Sequence, residues 1–299
     1  MLFSSVLTVS FCFITHPETT KRAVIDALSF CFSTLIPSLF PFAVAGEILV
    51  SAGFGEFCGK LCGNRFMRGR GLSAFLLGAF CGFPIGGKTA ISFYENGELD
   101  RSEAELLCAV CNNAGAGFVI AGIGSAMWKS TSFGVSLYLV QLISAILSAY
   151  LLKPLFKRGT NAPRTRNFIK KEDHPHSFAS VISNAVPNAV FTMLRVSGFV
   201  VFFELLLSLV SPNVALSVFL EITSGVTSLL HLSIEPANEL LAKTGTFFAV
   251  GFGGLSVHMQ LASFVGKSGI SMYRYTVFKL FQAVLCAVLG AMILRFGIM

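Results

Sequence analysis

Eight long stretches of this chain carry almost no charge, at residues 23–55, 72–95, 104–128, 133–152, 178–210, 213–234, 244–266 and 275–298. Several reach the ~20 residues that a helix needs to cross a hydrocarbon core. This constrains the fold before any motif does. In lipid every backbone polar group must find its partner inside the protein, so apolar runs of this length become helices. Composition agrees: 12% of the 299 residues are charged, whereas soluble domains carry about 25%. The expected fold class is all-α, a polytopic membrane protein embedded in a lipid bilayer. Residues 1–15 form a shorter apolar run without a basic n-region, which reads as a first membrane helix rather than a cleaved leader.

The excess of basic residues is local. Residues 153–171 hold seven Lys/Arg and residues 60–70 hold four. Cationic loops beside apolar spans mark the cytoplasmic side, so nucleic acid is not the expected partner. The eight cysteines include a Cys108-x-x-Cys111 pair. No second pair stands at zinc spacing, so they read as small helix-packing residues, with no metal and no cofactor expected.

The polar stretch 153–177 divides the chain. "LSAFLLGAFCG" at 72–82 resembles "LSVFLEITSG" at 216–225, and "LVQLISAILSAYLL" at 139–152 resembles "LFQAVLCAVLGAMIL" at 280–294, with Gln141 against Gln282. Duplicated halves recur in secondary transporters. The expected organisation is an N-terminal helix and polar turn (1–22), a first membrane repeat (23–152), a basic cytoplasmic linker (153–177) and a second repeat (178–299). Each repeat is expected to contain a re-entrant or broken helical hairpin. Three apolar segments separate the two basic loops, an odd number, so one of them should enter and leave on the same side.

Residues 81–89, "CGFPIGGKT", fit the P-loop pattern, with Gly82 five residues before Gly87-Lys88-Thr89. A P-loop needs a strand ahead of it and a soluble α/β domain around it. Neither is present, so the match is accidental and no NTPase is expected. Gly82, Pro84, Gly86 and Gly87 instead predict a helix break. "ENGELDRSEAELL" then supplies a turn at Asn96-Gly97 and a capping box from Asp100 to Glu103. A second break follows at Asn112, Asn113 and Gly115 in "CNNAGAG". The second half offers matching breaks, Glu221, Thr223, Ser224 and Gly225 in "EITSG", and Gly253 and Gly254 ahead of Ser256, His258 and Gln260 in "GFGGLSVHMQ".

Ionisable groups are costly in a membrane and so mark function or pairing. The deep candidates are Lys88, Glu221 and His258, with Glu47, Arg195 and Glu204 nearer helix ends. Lys88 can serve a ligand or neutralise Glu221 across the halves. A half-helix starting near Lys88 aims its N–H groups into the break. With Asn112, Asn113, Thr223, Ser224, Ser256, His258 and Gln260 as further hydrogen-bonding groups, the constellation suits a small anion, although Glu221 dissents. Glu221 or His258 can also carry a coupled proton. Ser256-x-His258 is not a catalytic pair, because residues two apart on a helix do not face each other. No enzyme is expected and no catalytic residue is assigned.

In this order and spacing, "GFPIGGK", "CNNAG", "EITSG" and "GFGGLSVHMQ" resemble the YlbJ-type sporulation integral membrane proteins, which carry the nucleoside-recognition or Gate domain. The likeness runs from about residue 23 to 297. It implies a protein of the outer forespore membrane in an endospore-forming bacterium that transports the aromatic dicarboxylate dipicolinic acid. It also leaves room for nucleoside or nucleobase transport, for a non-transporting scaffold, and for partners that are further copies or other sporulation membrane proteins. Where this family commonly has Ser and Tyr before the proline, Cys81 and Phe83 stand here, and Gly86 loosens the turn.

Overall fold

The computed structural model describes residues 2–55, 57–58, 70–156, 177–210, 213–266 and 268–297; side chains are not described at 2, 4–6 and 70. The basic segments 60–70 and 153–177 therefore lie largely outside the described residues, and with them the expected cytoplasmic linker.

Among the described residues the fold is helical, with no strand. α1 is Leu2–Thr15 and α2 is Pro17–Ser51, with a π-helical turn at Cys31–Leu35. α3 (Arg70–Cys81) and α4 (Ile85–Glu95) are followed by α5 (Arg101–Cys111), the π-helical α6 (Gly117–Met127) and α7 (Thr131–Phe156). α8 is Phe178–Ser208, α9 Val214–Leu220 and α10 Ile222–Leu232. α11 (Glu239–Phe252), α12 (Gly254–Val265) and α13 (Met272–Arg295) complete the chain.

Among the described residues, five helical stretches are long and apolar enough to cross a membrane: α2, α7, α8, α13, and the segment Pro236–Val265 that contains α11 and α12. α1 has 14 residues, about 21 Å of helix, and is too short to cross alone. α7 shows how the helices meet lipid. Gln141, Ser144, Ala145 and Ser148 are buried, while Leu139, Ile143, Ile146 and Leu147 are exposed. Small and polar residues thus face the protein and large apolar ones face outward, the arrangement of a helix solvated by hydrocarbon. The exposed apolar side chains on α8 and α13 extend the same surface.

All four expected breaks occur, each with a local cause. α3 ends at Cys81, Gly82 turns with φ +79°, and Pro84 caps α4. The Asp100–Glu103 capping box starts α5 as expected, and α5 ends at Asn112. Glu221 sits extended between α9 and α10 and caps α10 with its own carboxylate. Gly253, at φ +82°, separates α11 from α12.

The breaks cross in pairs with backbone in contact. α3 and α4 fold back on each other around Gly78 and Gly86. A Cβ on either glycine would lie 1.8 or 2.0 Å from the Cys111 carbonyl oxygen of α5. Gly82 also meets Gly115 backbone to backbone, where a Cβ on Gly82 would lie 2.6 Å from the Gly115 nitrogen. In the later part of the chain α9 and α10 fold back around Gly225, and Gly254 lies against Leu220 and Glu221. Elsewhere Gly124 meets Gly134 between α6 and α7, and Gly290 of α13 seats the Phe247 ring of α11.

Gly86→Ala places a methyl inside van der Waals contact with backbone that cannot retreat. Its yield of monodisperse protein in detergent size-exclusion chromatography should fall to background. Gly198→Ala, with nothing within 4 Å of the added methyl, should match the wild type. Equal yields from the two variants would contradict the crossing.

Candidate functional site

The break after α5 exposes backbone groups that a continuous helix would pair; α7 satisfies those of Ala114, and α13 binds the side chains of the Asn pair beside them. Gln141 binds Ala114 at both ends: its Oε1 accepts from the Ala114 N–H at 3.1 Å, and its Nε2 donates to the Ala114 carbonyl at 2.9 Å. Gln282 donates to Asn113 Oδ1 at 2.9 Å, and the Lys279 ammonium donates to Asn113 Oδ1 at 3.1 Å and to Gln282 Oε1 at 2.9 Å. The Asn112 amide donates to the Tyr275 hydroxyl at 2.7 Å. Residues more than 160 positions apart in sequence therefore close one buried polar centre.

Lys279 is 2% exposed, and its partners are neutral carbonyl oxygens. Among the described residues it makes no ion pair with a carboxylate. A cation held in low dielectric without a counter-charge is electrostatically incomplete. Two polar atoms beside the centre are also unpaired: Asn112 Oδ1 and His258 Nε2. The His258 ring lies between Phe252 and Tyr275, at centroid distances of 4.7 and 4.9 Å, and its Nδ1 is hydrogen-bonded to the Gly254 carbonyl at 2.7 Å. α4 adds Gly87, which abuts Asn112 and Leu261 of α12.

The expected site residues separate into groups. Asn112, Asn113, Gly87 and His258 join the centre at Lys279. Glu221, Thr223 and Ser224 form a second cluster at the α9–α10 break. Glu221 Oε2 accepts from the Thr223 and Ser224 N–H groups at 2.6 and 2.9 Å, and Glu204 accepts from the Ser224 hydroxyl. Ser256 and Gln260 are buried one turn apart on α12, hydrogen-bonded to each other at 3.3 Å. Gly86 serves packing against Cys111.

Lys88 needs correction. It does not neutralise Glu221. Its ammonium pairs with Glu47 of α2 at 2.5 Å, and Asn188 of α8 also donates to Glu47. Glu47 therefore joins α2 to both α4 and α8. α4 begins at Ile85, and the Lys88 N–H is already bonded to Pro84, so Lys88 lies a turn inside the helix. Arg195 stacks over the Phe264 ring at 4.8 Å.

Two charged residues were missed. Lys279 sat inside a run read only as a span; the signal was a lysine three residues ahead of Gln282 on one helix face. Glu105 is 2% exposed and joins α5 to α13 by ion pairs with Arg101 at 3.0 Å and Arg274 at 2.8 Å, while accepting from the Ser271 N–H at 3.0 Å. Its spacing four residues after Arg101 was the available clue.

These features define a class: a polytopic helical membrane protein whose broken helices enclose a polar interior. The chain is similar to the sporulation integral membrane protein YlbJ of Bacillus subtilis (strain 168), with 26% identity covering 92% of this chain and 78% of that protein. This similarity supports assignment to the YlbJ-type family. No family model matches the chain, and no solved structure does.

Gln141→Leu keeps the volume but strands the N–H and the carbonyl of Ala114. Each buried group left unpaired costs about 1–3 kcal/mol. The variant should melt well below the wild type in a thermal-shift assay, and an unchanged midpoint would contradict the role of Gln141.

Proposed function

We propose that this protein moves a small organic anion across a sporulation membrane, with dipicolinate as the leading substrate. The observation that carries the reading is Lys279, a buried amine with neutral partners and, among the described residues, no carboxylate, at the crossing of broken helices; an anion beside it holds it in the charged form. An anion arriving there supplies the missing charge, and the Tyr275 O–H and the second N–H of the Asn112 amide are donors that can orient it. The name of the Bacillus subtilis relative supports a sporulation role. The dicarboxylate, the outer forespore membrane and the absence of enzymatic chemistry come from the family resemblance and the lack of a catalytic constellation in the sequence. In this reading α3–α4 and α9–α10 are re-entrant hairpins. Broken elements of this kind serve ligand sites in secondary transporters and are tolerated in membranes where protein or a wet cavity satisfies them.

Nucleoside transport is the weaker reading. It needs free aromatic faces near the breaks, and the phenylalanines in the Gly82–Pro84 and Gly253 breaks are engaged: Phe83 packs on Phe118, and Phe252 lies against Phe219, Phe248 and His258. A scaffold without transport has no use for an uncompensated buried lysine.

Radiolabelled dipicolinate and uridine should be compared in proteoliposomes containing the purified protein. The expected result is protein-dependent uptake of dipicolinate in preference to uridine, reduced at least tenfold by Lys279→Gln and by Asn113→Ala in variants that stay monodisperse. Lys88→Ala tests the Glu47 pair separately and should leave measurable uptake. Uptake preferring uridine, or unaffected by Lys279→Gln, would refute the assignment.

A further inference from the structure

The second polar cluster has its own access. A cavity of about 400 Å³ opens between α2, α8, α9 and α10. Its polar lining includes Asp26, Glu204, Ser217, Thr223, Ser224 and Thr227 and, among the described residues, no lysine, arginine or histidine. Two carboxyl groups meet at one serine in its wall. The Ser224 N–H donates to Glu221 and the Ser224 hydroxyl donates to Glu204. Glu221 is 1% exposed. Thr223 is 6% exposed and lines the same cavity, and its buried hydroxyl, beside the Glu221 carboxylate, meets no partner at full hydrogen-bonding geometry.

The surrounding charges do not compensate this pair. α2 contributes Asp26 and the Cys31 thiol, and α9 has no titratable side chain. Arg195 of α8 is turned to Phe264, and His258 of α12 is bonded to Gly254. Lys243 of α11 pairs with Glu239, one turn away at the start of that helix. Lys21 and Arg22 line an adjoining outer cavity that shares Asp26 and Ser208 with this one. Two carboxylates held close in low dielectric repel unless a positive charge stands between them.

We propose that Glu204 and Glu221, with the hydroxyls of Ser217, Thr223 and Ser224, bind one monovalent cation, H⁺ or Na⁺, at the α9–α10 break. Carboxylate and hydroxyl oxygens suit a hard ion. A divalent ion needs six to eight oxygens when it is Ca²⁺, whereas Glu221 Oε2 is already occupied by two N–H groups. Unwound segments are where transporters place coupling ions, so this site gives an ion gradient a point of action distinct from Lys279. The proposal extends the transport reading but does not depend on which organic anion is carried.

The test uses full-length protein in lipid nanodiscs with no organic anion present. Melting is followed in NaCl against N-methylglucamine chloride at pH 8, and in N-methylglucamine chloride from pH 8 to pH 5. A ligand that binds only the folded state raises the midpoint, by about 5 °C near saturation. A rise with Na⁺ assigns an alkali cation, and a rise on acidification alone assigns a proton. Either response should fall by more than half in Glu204→Gln and in Thr223→Val, the latter removing only a hydroxyl in case the former does not fold. A wild type indifferent to both ions, a response to Mg²⁺ or Ca²⁺ in place of them, or a response retained in both variants would overturn the proposal. None of these results depends on dipicolinate uptake, so the two readings fail independently.

Discussion

A helix interrupted inside a membrane leaves N–H and carbonyl groups that lipid cannot satisfy. The architecture of this protein follows from how it meets that cost. Gln141 reaches from α7 to both polar groups of Ala114, and Glu221 turns its carboxylate onto the first N–H groups of α10. The glycines at 78, 82, 86 and 115 let the interrupted backbones approach until they touch. Polar side chains are therefore concentrated where the helices stop, and a polar interior arises inside an apolar chain.

That interior is divided by sign. Around Asn112 and Asn113 the charge is the Lys279 ammonium, whereas around Ser224 it is two carboxyl groups. The division resolves the conflict in the sequence, where an acidic Glu221 had to share one anion site with Lys88. Lys88 is instead spent on Glu47, linking α4 to α2. In the reading proposed above, the first centre takes an anion and the second a cation, and both lie at breaks between helices.

The breaks were legible because their causes are local. A Gly-Phe-Pro run, an Asn pair before glycine, and two glycines at positive φ announce themselves within a few residues. The capping box at Asp100 was legible for the same reason. Pairings were not. Glu105 with Arg274 and Asn113 with Lys279 join residues 169 and 166 positions apart, and nothing near either partner specifies the other. The aligned glutamines show the limit of reasoning from repeats. Gln141 and Gln282 occupy matching places in their segments, yet both serve the break after α5, with the Gln282 amide also 3.4 Å from the Gln141 carbonyl. Lys279 was overlooked because hydrophobic neighbours made its segment look like an ordinary span.

The central claim is that the broken α5 and the late helix α13 enclose Lys279 together. It is tested most directly by double-cysteine cross-linking in native membranes, in a background without other cysteines. Asn113→Cys combined with Lys279→Cys should be joined by a short bifunctional thiosulfonate and detected as a linked peptide pair by mass spectrometry, as should Lys88→Cys with Glu47→Cys. Absence of the 113–279 link while the 47–88 link forms would show that α13 does not close the centre, and the account would fail.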